Sequence, residues 1–379
     1  MKAEALSGAA RVLGRGPKIS TSALLLTVVL AAPFVACSRA SEPNSDVAAS
    51  NDRAEKTGGN APSASGASKV STAAPSASTA SPSAPPLPDA ATLRASAPRF
   101  EWPNVTHWVA IGDLHGDFDA TKRAFELAGA TNADGAWSGG QLVVVQTGDQ
   151  LDRGDDERAI IEFLERVQGE AEKAGGHLHV MNGNHETMNA LGDFRYVTPG
   201  ALHAFDDLTP RAPLAGRFPA EYQGRAGAFL PGGAMALRLA KRPVALRIGD
   251  TVFAHAGIRA PHVTHGLDLL NGEIAAWLRG ELVRPPLLLQ DPEGPLWTRV
   301  YGAEELDASS CKVLEEALGK LGAKHMVVGH SVQEHGMNEA CSGRIHRIDV
   351  GLSKYYGQGP IQVLESKDGK FQVLSKPRR

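Results

Sequence analysis

Five short polar blocks, each directly after an apolar run, constrain the fold of this chain more than any other feature. The apolar runs have the length and β-branched content of buried strands. Predicted helices at 117–130 and 156–175 separate the first three, and this alternation favours an α/β fold with a parallel sheet core. The blocks read GDLHGD (112–117), GDQLDRG (148–154), NGNHE (182–186), HAG (255–257) and GHS (329–331).

Every predicted strand therefore ends in aspartate, histidine or asparagine. Ligands of α/β sheets bind at the carboxyl ends of the strands, so we expect these side chains to converge. Carboxylate and imidazole groups suit divalent Mn, Fe or Zn, and no cysteine lies among them. Several ionised carboxylates in one cleft would repel one another without a counter-charge. The pattern thus predicts a site for two divalent metal ions.

In this order the blocks resemble those of the calcineurin-like metallophosphoesterases. GDxxDRG, GNHE and a GH with no second histidine resemble the phosphoprotein phosphatase branch. HAG, GDQLDRGDDE, PLWTRVYG and RIHRIDVGLS resemble the bacterial Shewanella-like phosphatases, and the likeness covers about residues 109 to 364. The resemblance implies an α/β fold: a β-sandwich of mixed sheets flanked by helices, with the metal site at the carboxyl ends of the strands.

The resemblance also assigns roles to the metal-binding residues. It implies that Asp113 and His115 bind the first metal and that Asp149 bridges both metals. Asn184, His255 and His330 would complete the second metal site. Val332 stands where many phosphodiesterases of this fold have a further histidine. A hydroxide bridging the two metals would attack phosphorus in line.

Four further residues match the catalytic positions of the family. His185 resembles its general acid, and Asp152 would orient the imidazole. Arg153 and Arg299 would bind the phosphoryl oxygens. The alternatives are a surface ion pair for Arg153 and a loop cap for Arg299.

A segment from residue 192 to about 233, here called the insertion, is rich in Gly, Pro and Phe. It could form a helical lid that brings Arg195 and Tyr196 to the substrate, or a peripheral loop that only supports the core. Arg195 is included among the candidate substrate-binding residues.

The first quarter of the chain is typical of an exported protein. Residues 1–37 combine a basic leader, a short apolar segment and Cys37, which resembles the lipidated cysteine of bacterial lipoproteins. Plain signal-peptidase cleavage and a retained membrane helix are the alternatives. Residues 38–100 are rich in Ser, Ala, Pro and Thr and predict a disordered linker, which leaves 101–379 as the phosphoesterase domain. We therefore expect an exported protein of the bacterial cell envelope, anchored to a membrane through Cys37.

Charge and cysteine content add two constraints. The net charge of −3, without clusters of Lys and Arg among aromatic residues, argues against a nucleic-acid partner. Cys311 and Cys341 could form a disulfide in an oxidising compartment or remain separate buried thiols.

These observations together predict a dinuclear-metal phosphomonoesterase acting on phosphorylated proteins or peptides, at phosphotyrosine, phosphoserine or phosphothreonine. One alternative is a dinucleoside polyphosphate hydrolase or phosphodiesterase of the same fold. Another is a tethered module that binds phosphorylated ligands without turnover. The sequence leaves open the identity of the metal, the oligomeric state and the physiological substrate.

Overall fold

The computed structural model describes residues 87–378 and contains eleven strands and ten α-helices in that range. The strands are β1 (Glu101–Trp102), β2 (His107–Ile111), β3 (Val143–Gln146), β4 (His177–Val180), β5 (Ala245–Ile248), β6 (Thr251–Ala254), β7 (His325–Val328), β8 (Asn338–Ala340), β9 (Ile345–Arg347), β10 (Ile361–Lys367) and β11 (Lys370–Lys376). The helices are α1 (Ala90–Ala95), α2 (Phe118–Leu127), α3 (Glu157–Lys173), α4 (Asn184–Leu191), α5 (Gln223–Phe229), α6 (Ala234–Leu239), α7 (Ala260–His265), α8 (Leu267–Leu278), α9 (Leu287–Gln290) and α10 (Ala308–Leu321).

The strands form two mixed sheets, which confirms the predicted architecture. One sheet has the order β11-β10-β2-β3-β4, and the other has the order β1-β5-β6-β7-β9-β8. In the first sheet β2, β3 and β4 are parallel and β10 pairs antiparallel to β2. In the second, β6, β7 and β9 are parallel.

Alternating residues of each strand face two different cores. In β2, Trp108 and Ala110 pack between the sheets against Phe253 of the second sheet, whereas Val109 and Ile111 face helices α2 and α3 on the outside. This alternation is the period-two geometry of a strand that is buried on both faces. Helices therefore cover the outer faces of a sandwich whose inner core is shared by both sheets.

The helices predicted at 117–130 and 156–175 are α2 and α3. Asp117 caps α2, because its carboxylate accepts a hydrogen bond from the amide of Ala120 at 3.0 Å. Each helix follows a strand of the parallel core, so the polar residues at the end of that strand lie at the start of the helix. The same connection places α4 directly after β4.

The predicted end of the linker at residue 100 is wrong. Asp89 caps α1 by accepting a hydrogen bond from the amide of Thr92 at 2.8 Å, Leu93 is buried, and Arg94 forms an ion pair with Asp268 on α8. The backbone of α1 lies directly against Gly272, where a β-carbon would come within 2.1 Å of the Leu93 carbonyl oxygen. Tertiary packing stabilises this short helix, whose composition alone does not predict order. Residues 89–100, which the sequence assigned to the disordered linker, therefore include an ordered, packed helix.

The remainder of the predicted linker, and the predicted signal segment with Cys37, lie outside the described residues. None of the helices between residues 87 and 378 combines the length and apolar content that crossing a bilayer requires. Cys311 on α10 and Cys341 after β8 are joined in a disulfide, with 5.4 Å between their Cα atoms. The pairing that the sequence left open is therefore present.

Candidate metal centre and active site

The polar strand ends converge at one end of the sandwich. His115 follows β2, Asp149 follows β3, His255 follows β6 and His330 follows β7. Asp149 belongs to two groups that could each hold a metal ion: one with His115 and His185, the other with His255 and His330. Within each group the potential ligand atoms lie within 4.8 Å of one another.

Distances within the centre place Asp149 between the two groups. Its Oδ2 lies 3.6 Å from His115 Nε2 and 3.3 Å from His255 Nε2. Asn184 Oδ1 lies 2.8 Å from His255 Nε2 and 3.0 Å from His330 Nδ1. The structure thus brings these predicted ligands together, and the bridging role of Asp149 remains a prediction that its position supports.

Asp113 lies beside the second group. Its Oδ2 accepts a hydrogen bond from the backbone amide of His330 at 3.0 Å, while its Oδ1 is buried without a hydrogen-bond partner. His330 Nε2 is buried and unpartnered as well. Buried polar atoms are normally satisfied, so these two orphaned atoms fit a site that a cation would complete.

Backbone carbonyl groups fix the orientation of two imidazole rings. His115 Nδ1 lies 3.0 Å from the Leu151 carbonyl oxygen, and His255 Nδ1 lies 3.0 Å from that of Thr147. A carbonyl oxygen can only accept, so each Nδ1 carries a proton and each Nε2 faces Asp149, which leaves Nε2 as the atom available to a metal. This arrangement is typical of metal-binding histidines.

The electrostatics of the centre also favour cations. Burial raises the pKa of Asp113 well above its usual range, and the carboxylates of Asp349 and Asp149 raise it further. Burial, with Asp149 nearby, raises the pKa of Asp349 to about 6. Burial and the neighbouring His185 lower the pKa of His115 to about 3, which keeps that ring neutral. Burial also lowers the pKa of His330, whereas Asp149 outweighs burial at His255 and raises the pKa of that ring. Buried carboxylates and imidazoles gathered in this way form a donor set that fits divalent metals.

Several predicted residues of the site have a strained backbone conformation. His115, Asp149, Asp152, Arg153 and His330 all have positive φ angles, between 43° and 68°. Residues with a β-carbon rarely adopt this conformation, and it persists only where surrounding contacts hold it. The strain therefore coincides with the predicted site.

Glu186 supplies much of that support, although the sequence analysis gave it no role. Its buried carboxylate accepts hydrogen bonds from the amides of Asp149, Gln150 and Gly183 at 2.8, 2.8 and 2.6 Å. It thereby joins the loop after β3 to the start of α4. The sequence indicated this residue only as the glutamate that ends the NGNHE block.

His185 and Asp152 form the predicted pair. His185 Nδ1 lies 2.5 Å from Asp152 Oδ2, and both side chains are buried. Burial alone would lower the pKa of His185, but Asp149 and Asp152 outweigh it and hold that pKa above its ordinary value. The ring is therefore favoured in its protonated form, with Nε2 3.8 Å from Asp149 Oδ2.

The Arg153 guanidinium lies beside this pair among three tyrosine rings. Its central carbon is 4.9, 5.1 and 5.3 Å from the ring centres of Tyr196, Tyr355 and Tyr356. Tyr196 also approaches the His185 ring, with 5.2 Å between the ring centres. Tyr355 and Tyr356 received no role from the sequence, where their only signal was their position just after the RIHRIDVGLS block.

The other two predicted arginines lie at the surface. Arg299 is exposed and donates a long hydrogen bond of 3.4 Å to Ser331, next to His330. Arg195 forms an ion pair with Asp193 at 2.6 Å. The insertion therefore brings Tyr196 to the site, whereas Asp193 holds the Arg195 guanidinium at the surface. A substrate contact for Arg195 remains a prediction.

Comparison with known proteins agrees with this geometry. Residues 107–334 match the calcineurin-like phosphoesterase family, and the chain belongs to that family. Shewanella-like protein phosphatase 2 of Arabidopsis thaliana is 38% identical over 313 aligned positions, covering 74% of this chain and 80% of the plant protein. Shewanella-like protein phosphatase 1 of Plasmodium berghei (strain Anka) is 27% identical over 278 positions, covering 70% of this chain and 73% of its own. The chain is thus a metal-dependent phosphatase of the Shewanella-like group.

Solved structures support the fold. The crystal structure of the cold-active protein-tyrosine phosphatase of a psychrophilic Shewanella species superposes with a TM-score of 0.58 at 24% identity. That alignment covers 74% of this chain and 83% of the other. The two proteins therefore share the fold of a two-sheet sandwich flanked by helices.

Proposed function

We propose that the protein is a phosphomonoesterase that removes phosphate from phosphorylated protein side chains and accepts phosphotyrosine. The observation that carries this proposal is the Arg153 guanidinium, held by three tyrosine rings directly beside the His185–Asp152 pair. A cation for the phosphoryl group, a proton donor for the leaving oxygen and a metal centre then lie in one cleft. These are the groups that hydrolysis of a phosphate monoester requires.

Separate side chains in this site would bind the metals, bind the phosphoryl group and donate the proton. Asp113, His115, Asp149, Asn184, His255 and His330 would hold two divalent cations, which act as Lewis acids and activate a water molecule when bound. Arg153, with Arg299 at the rim, would bind the phosphoryl oxygens and orient the ester. His185 holds a proton on Nε2 for the leaving oxygen, because Asp152 occupies Nδ1 at 2.5 Å.

The tyrosine rings favour an aromatic phosphoester. Tyr196 and Tyr355 expose 40% and 58% of their surface beside Arg153, so flat apolar faces border the entrance to the site. A phenyl ring gains both burial and offset or edge-on packing against such faces, about 0.5–1.5 kcal/mol beyond area burial. A serine phosphoester has no ring to make that contact.

A turnover assay tests the proposal. The full-length protein is stripped of metal, reloaded with Mn, Fe or Zn, and offered phosphotyrosine and phosphoserine peptides beside a dinucleoside polyphosphate. We expect metal-dependent release of phosphate from the phosphotyrosine peptide, lost in Asp149→Asn and strongly reduced in His185→Asn. Hydrolysis of the dinucleotide alone would instead identify the alternative hydrolase, and binding without turnover would identify the tethered module.

Two matched variants test the role of the rings. Tyr355→Leu should raise KM for the phosphotyrosine peptide several-fold more than KM for the phosphoserine peptide, because loss of the ring contact with Arg153 affects both substrates whereas loss of the aromatic face affects only the first. Tyr301→Phe is the control, because Tyr301 is buried and its hydroxyl donates to the Ile258 carbonyl. Equal effects of Tyr355→Leu on both peptides would contradict the proposed aromatic recognition.

We further propose that the protein is exported and anchored in the cell envelope by a lipid on Cys37. The disulfide between Cys311 and Cys341 supports export, because such bonds persist mainly in oxidising compartments. Labelling of cells with an alkynyl fatty acid tests the anchor. We expect labelled protein in the membrane fraction and its loss in Cys37→Ala; unlabelled soluble wild-type protein would argue for plain signal-peptidase cleavage.

A further inference from the structure

We propose that Arg225, a buried arginine of the insertion, is a positioning residue that holds Asp152 and thereby aims the proton donor His185. The inference rests on the proposed phosphomonoesterase function and adds a residue outside every motif. Arg225 lies on α5, is fully buried and contacts neither a predicted metal ligand nor the entrance to the site in its hydrogen bonds.

The first connection from Arg225 to Asp152 passes through Asn189. Arg225 Nε donates to Asn189 Oδ1 at 2.7 Å. The amide nitrogen of the same side chain, Asn189 Nδ2, donates to Asp152 Oδ1 at 3.1 Å. The guanidinium therefore fixes which way the Asn189 amide points, and that amide occupies one carboxylate oxygen while His185 occupies the other.

The second connection passes through Glu157 and reaches the backbone. Arg225 pairs with both carboxylate oxygens of Glu157, at 2.7 and 3.1 Å, and Glu157 Oε1 accepts the backbone amide of Asp152 at 2.6 Å. Asp152 has a φ of 68°, a conformation that surrounding contacts must hold. The side chain and backbone of Asp152 are thus both held by groups that Arg225 orients, and Arg225 Nη2 itself lies 3.7 Å from Asp152 Oδ1.

Stability alone is a weak explanation for this network. A buried arginine–glutamate pair stabilises a fold little, because removing two charges from water costs about as much as their attraction returns. The rings of Phe229 and Phe205 lie 4.8 and 5.7 Å from the Arg225 guanidinium, so an apolar side chain would fit the same space. A fully satisfied polar network at this position instead selects a single arrangement of the groups it joins.

The network also gives the insertion a part in the chemistry. The insertion touches the loop after β3 at its beginning, where the Arg153 amide donates to the Tyr196 carbonyl at 3.0 Å. Arg225, near its end, reaches the same loop from the other side through Asn189 and Glu157. The segment that contributes an aromatic ring to the entrance therefore also orients the proton donor.

Dependence on the leaving group tests the proposal, because a misaligned proton donor matters only when the leaving oxygen needs a proton. The full-length, metal-loaded protein is assayed on 4-nitrophenyl phosphate, a good leaving group, and on phenyl phosphate, a poor one. The test variant is Arg225→Met combined with Glu157→Gln, which leaves no unpaired buried charge. We expect kcat on phenyl phosphate to fall at least tenfold and kcat on 4-nitrophenyl phosphate to fall less than threefold, with KM for both substrates unchanged.

Arg158→Met is the matched control. Arg158 also joins α3 to the insertion, through the Ala204 carbonyl and Asp207, but its hydrogen bonds do not reach Asp152. We expect this variant to keep the wild-type ratio of the two rates. Asn189→Leu, which removes the Asp152 contact directly, should reproduce the selective loss even if the Arg225 variant folds poorly.

An independent readout separates this inference from the proposed function. The proton that His185 shares with Asp152 should give a downfield imidazole resonance, present in wild type and Arg158→Met and weakened or lost in the Arg225 variant. Parallel loss on both substrates, or an unchanged resonance, would mean that Arg225 only stabilises the fold. Failure of wild type on both monoesters would refute the proposed function, and the resonance alone would then decide the role of Arg225.

Discussion

Gly183, the residue before the predicted ligand Asn184, provides the sharpest test of the metal centre. A β-carbon at this position would lie 2.1 Å from Asp149 Oδ1 and 2.7 Å from the Asp149 backbone nitrogen. The backbone angles of Gly183, −100° and −169°, are ordinary for alanine. Gly183→Ala therefore introduces a steric conflict with Asp149 and no backbone strain of its own.

The size of the effect follows from that conflict. Ordinary contacts of a β-carbon begin at 3.4 Å, so the carboxylate must retreat by about 1.3 Å from its present 2.1 Å. Asp149 Oδ1 also accepts a hydrogen bond from the His185 amide at 3.0 Å, so the movement disturbs the proposed proton donor as well. Since misplacement by about 1 Å can cost about 100-fold in rate, we expect kcat to fall by about that factor or more.

The assay combines metal content with turnover. Gly183→Ala should bind fewer than two metal ions per chain under conditions that saturate the wild type, and should lose activity in proportion or beyond. Gly169→Ala is the matched control, because Gly169 lies inside α3 with no atom within 4 Å of its would-be β-carbon. That variant should keep full activity and gain about 0.5–1 kcal/mol of stability. A fully loaded, fully active Gly183→Ala protein would refute the placement of Asp149 described here.

Three further outcomes are expected. Replacing Cys311 and Cys341 by serine should lower the free energy of unfolding by about 3.5 kcal/mol, from closure of a loop with a sequence separation of 30, and denaturant titration measures this loss. A chain starting at residue 87 should be about 1–2 kcal/mol more stable than one starting at residue 99, since Leu93 is buried; equal midpoints would show that α1 contributes nothing. Burial alone would lower the pKa of His185, but Asp149 and Asp152 outweigh it and raise that pKa, so the protonated form that the proposed mechanism requires persists as pH rises. Asp152→Asn should therefore move the alkaline limb of the kcat–pH profile to lower pH, and an unmoved limb would exclude His185 as its origin.

The sequence predicted the centre of the molecule well because that part is locally encoded. Strands β2, β3, β4, β6 and β7 are apolar runs that end in polar blocks, and each lies where it was expected. The predicted ligand residues follow these strands within a few positions, so parallel pairing alone brings several of them together.

Residues that reach the site through long-range pairing were missed. β10 pairs antiparallel to β2, with Leu364 opposite Ala110, and the segment between β9 and β10 passes the site. At Gly112 a β-carbon would meet the Ile348 carbonyl oxygen at 2.5 Å, which shows how closely the end of β9 approaches. Asp349 and Tyr356 arrive by this route. Asp349 lies within the RIHRIDVGLS block and Tyr356 shortly after it, but no strand was predicted there, so nothing marked them as residues of the site. Arg225 was missed for a related reason, because the insertion has no repeated apolar pattern that would have marked it as buried.

The division of the predicted metal ligands between the two sheets has a consequence for the abundance of the protein. Asp113, His115, Asp149 and Asn184 follow strands of the five-stranded sheet, whereas His255 and His330 follow strands of the six-stranded sheet. Cations bound here would fasten the two layers together at one end, so their binding free energy would add to that of folding, by about 4 kcal/mol at a thousandfold excess over Kd. In a cell starved of transition metal, we therefore expect the protein to unfold and be degraded. Folded but inactive metal-free protein should not accumulate.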